Sequence, residues 1–348
     1  MSGGVDSSVS AALLKKEGYD VTGVFIKVWQ PDWIGCNWKE ERLEAMRAAA
    51  HLDIPFVTLD LEKEYKQGVI DYMIAEYRAG RTPNPDVMCN REVKFGAFWR
   101  WAKEHGADYI ATGHYARIES EKGSFKLLAG ADKNKDQSYF LWTLTQEDLK
   151  HILFPVGHLE KPEVRKLAAK FKLPNADKKD SQGLCFIGKV DVKEFLRHYI
   201  PAKPGKVLGE AGKEIGEHPG ALLFTIGERH GFTVTHKTPN DAPYFVIRKD
   251  VEANTITVSN RQNDGSMASG RTNVKIARAN WISNAPAVGQ KFEGRGRYRQ
   301  PLEKAHLASR DGNAAEVEFE RHQDTLTPGQ SLVIYKGDEC LGGGIIVY

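Results

Sequence analysis

The chain has 348 residues, 41% of them apolar, 10% aromatic and 27% charged; this is too long for one ordinary core and rich enough for two or three. Its 49 basic and 46 acidic residues leave a formal charge of +3, too even to mark a nucleic-acid binder by net charge, although 161–193 holds nine Lys or Arg against four acids and 291–299 four against one. No apolar run approaches the roughly 18 residues of a membrane helix and no secretory signal opens the chain, so a soluble, cytoplasmic protein is expected.

The predicted elements start with Ser2-Gly3-Gly4-Val5-Asp6-Ser7-Ser8, which feeds a helix over 9–16 that stops at Gly18. A strand over 21–29, a helix over 40–51, a strand over 55–61, a long amphipathic helix over 62–78, a helix over 92–104 and a strand over 108–112 follow. That alternation predicts an α/β domain with a doubly wound parallel sheet. From about Pro201, turn signals at 203–205, 217–220 and 238–243 separate short β-branched and aromatic runs at 244–248, 255–259, 274–279, 315–319 and 331–335. These predict two small β-rich units joined near 268–271, so that the domains run 1–200, 201–270 and 271–348.

Three segments carry chemistry. In the first, Gly3 and Gly4 permit a tight turn, the hydroxyls of Ser2, Ser7 and Ser8 can donate to phosphate oxygens, and the following helix contributes N–H groups and its dipole. No lysine follows as it would in a Walker A loop. The pattern resembles the pyrophosphate loop of ATP pyrophosphatases, which cleave ATP between its α and β phosphates; the competing reading is a glycine turn capped by Asp6 or Ser7. Such a loop normally follows a buried strand, and with Met1 alone before it that strand is expected to be missing and the cradle weakly anchored.

The second segment is Arg81-Thr82-Pro83-Asn84-Pro85-Asp86-Val87-Met88-Cys89-Asn90, where two prolines stiffen a loop and a helix start beside Cys89 would lower its thiol pKa. Asp86, three residues earlier, is the candidate general acid or base; a loop-stabilising carboxylate and a buried structural thiol are the alternatives. The third is 178–188, which places Cys185 in a basic, glycine-flanked loop. No cysteine pair has CxxC spacing, and Cys36 and Cys340 read as structural. Two such thiols beside an ATP-activating loop suggest that one carries sulfur and the other displaces it. Near the C-terminus, Arg295, Arg297 and Arg299 around Tyr298 offer guanidiniums for phosphates and an aromatic face for a base.

Taken with DYIATGHY (108–115), NKDQSYFL (134–141), FPVG (154–157), DSQGLCFIG (180–188), GRYRQ (296–300), TPGQSLVIY (327–335) and CLGGGII (340–346), these segments occur in the order found in tRNA-specific 2-thiouridylases, which the whole chain resembles. The resemblance implies an N-terminal ATP-pyrophosphatase domain of the adenine nucleotide α-hydrolase-like kind, a small central tRNA-binding domain and a C-terminal β-barrel. It implies ATP-dependent 2-thiolation of wobble uridine 34, with Cys185 as persulfide carrier and Cys89 as resolving thiol in a transient disulfide, beside Asp86 as the candidate general acid or base. Ser2 to Ser8 (Ser2, Gly3, Gly4, Val5, Asp6, Ser7, Ser8), Ile26 and Gly113 match ATP contacts. Asn84, Pro85, Asp86, His114, Lys135, Asp136, Gln137, Arg297, Tyr298 and Gln330 match tRNA contacts. The implied partners are tRNA at its anticodon region and a persulfide donor such as a cysteine desulfurase or relay protein; the implied cofactors are ATP and Mg²⁺, without a dedicated protein metal site. Another adenylating enzyme, such as an amide-forming synthetase, and a nonenzymatic tRNA-binding protein are the alternative readings.

Overall fold

The glycine pair turns the chain directly into α1 (Val5–Lys16), which begins inside the serine-rich motif and ends where Gly18 adopts a positive φ of 91°. In this computed structural model, residues 1–35, 38–179, 191–235, 242–260, 271–323 and 326–347 are described. β1 (Gly23–Lys27), α2 (Trp38–His51) and β2 (Phe56–Asp60) follow, the two strands pairing in parallel with Gly23 opposite Phe56. The Met1 ammonium lies beside β1 and donates to the Val24 carbonyl.

The predicted helix over 62–78 is one helical run of three parts: α3 (Glu62–Tyr65), a π-helical turn Lys66–Asp71, and α4 (Tyr72–Arg78). Gly68 lies in the π turn, where an added Cβ would come within 2.9 Å of Glu92 Cβ, so the glycine permits close approach of the next helical run. That run is α5 (Pro85–Met88), a π-helical segment Cys89–Ala97 and α6 (Phe98–Glu104). It starts earlier than the 92–104 periodicity predicts, because Asn84 accepts from Val87 N–H as an N-cap and Pro85 occupies the first turn. Next come β3 (Ile110–Ala111), the hairpin β4 (Ala116–Glu121) and β5 (Ser124–Ala129), α7 (Gln146–Leu149), β6 (Ile152–Leu153), α8 (Lys161–Lys170) and α9 (Val192–Arg197). β3 and β6 form a second parallel pair. α8 packs on α1 through Val164 and Ala168 against Val5 and Val9.

The central domain is a five-stranded sheet of β7 (Gly205–Leu208), β8 (Glu214–His218), β9 (Thr233–Val234), β10 (Phe245–Asp250) and β11 (Thr255–Ser259), in the order β10-β11-β7-β8-β9. Six further strands, β12 (Arg271–Trp281), β13 (Lys291–Arg295), β14 (Glu303–Asp311), β15 (Ala314–Gln323), β16 (Ser331–Lys336) and β17 (Glu339–Val347), close into a barrel when β17 pairs back onto β12. The expected architecture, an α/β domain, a small central domain and a C-terminal barrel, is therefore present. The turn at 238–243 and the junction at 268–271 fall mostly outside the described residues.

The three parts share their cores. Alternation in β15 buries Ala315, Val317 and Phe319 inside the barrel. In β16 both faces are buried: Leu332 and Ile334 point into the barrel, whereas Val333 and Tyr335 join Phe95, Tyr139 and Trp142 of the first domain. β5 also pairs with β17, so the first domain's hairpin extends the barrel sheet. Another cluster joins Met73, Cys89 and Val93 to Phe195, Phe224 and Val246 of the following segments. These shared cores, which local periodicity does not reveal, hold the loops between the domains in place.

Candidate functional site

Gly3 takes a φ of 74° and lies so close to α2 that a Cβ there would meet the Glu41 carbonyl at 2.5 Å. Burial pushes the Glu41 carboxyl up, with Lys178 opposing it. The serines are organised around this turn: Ser7 Oγ accepts from Ser2 N–H at 3.2 Å, and Ser7 Oγ and Ser8 Oγ each donate to the Gly4 carbonyl at 3.1 Å. No side chain caps the helix at Gly4, so the glycine-turn reading with Asp6 or Ser7 as cap does not describe it. The twelve-residue helix thus starts without a side-chain cap and with hydroxyls around its first turn, an arrangement whose chemistry suits an anion. The Val5 side chain instead packs in the α1–α8 core.

Gly113 closes the cradle from the other side. A Cβ there would stand 2.9 Å from both Asp6 C and Ser7 N, so only glycine allows the 112–114 turn to lie against the start of α1. Ile26 sits half-buried on β1, packed against the large core cluster. Three residues that sequence reasoning missed grip the loop. Asn175 Nδ2 donates to the Gly3 carbonyl and to Ser8 Oγ, each at 3.0 Å. Tyr115 donates its hydroxyl to Asp6 at 2.8 Å, and Lys161 Nζ stands 2.7 and 2.9 Å from the two Asp6 carboxylate oxygens. No local pattern signals these partners, which are more than 100 residues away from the loop they hold.

The second candidate group is connected to the cradle through packed side chains. His114 lies between Phe95 and Phe154, with ring centroids 5.8 Å from each, and its Nδ1 is 2.7 Å from Thr112 Oγ1. Burial, with Lys94 nearby, drives its pKa well below the usual 6.5, so the ring is neutral at physiological pH. Phe95 belongs to the same helical run as Cys89. Asn84, Pro85 and Asp86 form the start of that run, while Cys89 is wholly buried within it. Cys89 therefore follows a turn of helix already formed, and the dipole argument for a lowered thiol pKa applies to Pro85–Asp86 rather than to the thiol.

Barrel residues hold the same loop. Gln330 Nε2 donates to the Thr82 and Pro83 carbonyls at 3.0 and 2.9 Å, and Thr82 N–H donates to Pro328 O at 2.9 Å. Arg297 is directed inward, donating to the Ile226 carbonyl and to Thr327 Oγ1. Arg295, its side chain 11% exposed, stands 2.7 Å from Asp136 and also donates to Tyr335 Oη at 2.9 Å. Asp136 further accepts from the Gly130 and Ser138 N–H groups. Lys135 donates its backbone N–H to Asp132, and Gln137 Oε1 accepts from Tyr115 N–H at 3.0 Å, which ties this loop to the cradle's own tyrosine. Tyr298 packs on Phe140 at 4.5 Å with Arg299 over its ring. Of the arginine cluster, two members thus serve internal contacts in this conformation.

Cys36 and Cys185 lie outside the described residues. Among the described residues neither Cys89 nor Cys340 is in a disulfide, and burial raises the Cys340 pKa to about 12. Among the described residues no cluster of three or more His, Cys, Asp or Glu side chains is assembled for a metal. Magnesium held mainly through phosphate oxygens needs only one or two carboxylates, and Asp6 at the cradle fits that requirement.

Family models match the chain in three consecutive parts: a tRNA methyl transferase HUP domain over 1–189, a tRNA methyl transferase PRC-barrel domain over 193–260 and an aminomethyltransferase beta-barrel domain over 271–346. The chain is 46% identical to the tRNA-specific 2-thiouridylase MnmA of Lacticaseibacillus paracasei, covering 99% of this chain and 92% of that one. The chain belongs to the tRNA-specific 2-thiouridylase family. The 2-thiouridylases MnmA of Streptococcus mutans, 47% identical, and Geobacillus thermodenitrificans, 46% identical, are similar too, each alignment covering 99% of this chain and 93% of the relative. In this 2-thiouridylase family member no described helix is long and apolar enough to cross a membrane.

Proposed function

We propose that this protein is an ATP-dependent tRNA-uridine 2-sulfurtransferase that places sulfur on the wobble uridine 34 of tRNA. The observation that carries the reading is the uncapped, serine-lined start of α1, closed by Gly113 and linked through Tyr115 and His114 to the loops bearing Lys135–Gln137 and Cys89. A uracil carbonyl oxygen leaves poorly, so exchange for sulfur requires its activation. The 2-oxygen attacks the α-phosphorus of ATP, the bond from that phosphorus to the β-phosphate oxygen breaks, and pyrophosphate leaves with the electron pair into the Ser2–Ser8 cradle. Magnesium, when bound, neutralises phosphate charge, with Asp6 its protein ligand.

Cys185 receives sulfur as a persulfide from a cysteine desulfurase or relay protein. Its terminal sulfur attacks C2 of the base, the C2–O bond breaks and AMP departs. Attack by the Cys89 thiolate on the Cys185 sulfur then breaks the sulfur–sulfur bond, leaving sulfur with the base and a Cys89–Cys185 disulfide for an external thiol to reduce. Asp86, one turn before Cys89, moves the protons. Because Cys89 is fully buried within the helical run that starts at Pro85, that step requires the 81–90 segment to open when tRNA engages Asn84–Asp86, Arg297, Tyr298 and Gln330. The reaction belongs in the cytoplasm, where tRNA, ATP and reduced thiols occur together.

Incubation of unmodified tRNA with ATP, Mg²⁺ and a persulfide donor, followed by nucleoside mass spectrometry, tests this function. Wild type should yield 2-thiouridine at position 34, and Cys185→Ser and Cys89→Ser should not. Absence of product from wild type with a donor shown competent on another acceptor would refute the proposal.

A further inference from the structure

We propose that Lys161 is the phosphate-contacting cation of the cradle, delivered from α8 in place of the lysine that the loop's own sequence lacks. The inference rests on the proposed function, since it presumes that the cradle receives a pyrophosphate group. A polyanion leaving the α-phosphorus needs positive charge beyond N–H dipoles and hydroxyls. Ser2 to Ser8 contain no Lys or Arg, whereas Lys161 Nζ already stands 2.7 Å from Asp6 within the loop.

The position is built. Lys161 N–H donates to Asp132 Oδ2 at 3.0 Å, Glu160 N–H donates to Glu163 Oε2 at 2.8 Å, and Val164 and Ala168 of the same helix pack on Val5 and Val9. The first turn of α8 is thereby fixed against the first turn of α1, and the side chain is only 13% exposed. The Asp6 carboxylate is 31% exposed, and a partly exposed ion pair contributes little net stability, so stabilisation of α1 does not account for a lysine here. Four rotatable bonds allow Nζ to leave Asp6 for a phosphate oxygen without moving either helix. Asp6 then keeps the Tyr115 hydroxyl at 2.8 Å and exposes an oxygen to magnesium. Asp6 would then be the residue available to hold magnesium, which would supply charge neutralisation at the phosphates.

Calorimetric titration of the full chain with magnesium pyrophosphate, ATP and AMP tests this with Lys161→Met, Lys161→Arg, Asp6→Asn and the double variant Asp6→Asn/Lys161→Met, each checked for an unchanged unfolding midpoint. Lys161→Met should weaken pyrophosphate and ATP by about ten- to a hundredfold while AMP stays within about twofold, and Lys161→Arg should retain most of the affinity. The loss should persist in the Asp6→Asn background, because a lysine that touches phosphate does not act through Asp6. An equal loss for ATP and AMP, or a loss that vanishes once Asp6 is neutral, would overturn the assignment and leave Lys161 a partner of Asp6 alone. Wild type binding neither ATP nor pyrophosphate would remove the proposed function itself, whereas wild-type binding with an unaffected Lys161→Met removes only this inference.

Discussion

Replacing Arg295 by methionine should loosen the junction between the barrel and the 130–138 loop far more than loss of one surface charge would. Arg295 and Asp136 are 2.7 Å apart with side chains only 11% and 6% exposed, and removing one partner of a buried pair typically costs about 3–5 kcal/mol because the other charge is left uncompensated. Asp136 keeps two acceptor contacts, with Gly130 N–H at 3.1 Å and Ser138 N–H at 3.0 Å, which places the expected cost at the lower end, about 3 kcal/mol. Opening of this region should then become roughly a hundredfold more frequent. Native-state hydrogen exchange read by mass spectrometry checks this at the Gly130 and Ser138 amides. Adding Asp136→Asn to Arg295→Met should recover most of the protection, since the amide oxygen still accepts both N–H groups without burying a charge. Protection in Arg295→Met within about 1 kcal/mol of wild type would refute the reasoning, because it would mean that the carboxylate is solvated on the opening timescale.

Gly113→Ala should leave the circular dichroism spectrum unchanged but lower ATP affinity about tenfold or more, because its Cβ must push on Asp6 and Ser7 backbone atoms 2.9 Å away; unchanged affinity in calorimetry would show that the turn has room. Cys340, whose thiol is buried and shifted to about 12, should resist iodoacetamide in the native protein at pH 8 as judged by peptide mass spectrometry, and Cys340→Ala should retain thiolation activity. Labelling at the rate of a free thiol would contradict its burial. His114 resists protonation when folded but takes up a proton near its ordinary value when unfolded, so the unfolded state binds more protons below about pH 6.5 and stability falls as pH drops through that range. Urea midpoints at pH 5.5 and 7.5 should therefore differ more for wild type than for His114→Gln, and equal differences would exclude His114 as the source.

The serine-glycine cradle was legible because its chemistry is contiguous: hydroxyls, two glycines and a helix start lie within seven residues, and the fold preserves that local order. The main strand and helix periods were legible for the same reason, as were the three broad units of the chain. The π turns at 66–71 and 89–97 were not, since they answer to the close packing of one helical run on another. The hairpin β4–β5 was also missed, and its place at the barrel edge depends on β17, over 200 residues further on.

For the site, residue type and neighbourhood in the chain led to Ser2–Ser8 and the 81–90 segment, and the family resemblance added Gly113, but direction belonged to the folded molecule. The basic 291–299 stretch shows charge without orientation; burial against Asp136, Tyr335 and Ile226 turns Arg295 and Arg297 inward. Lys161 and Asn175 reach the cradle from 155 and 172 residues away. Local sequence governs backbone conformation through steric and hydrogen-bonding preferences acting over a few residues, whereas the charge and grip completing this cradle arise where helices distant in sequence pack together.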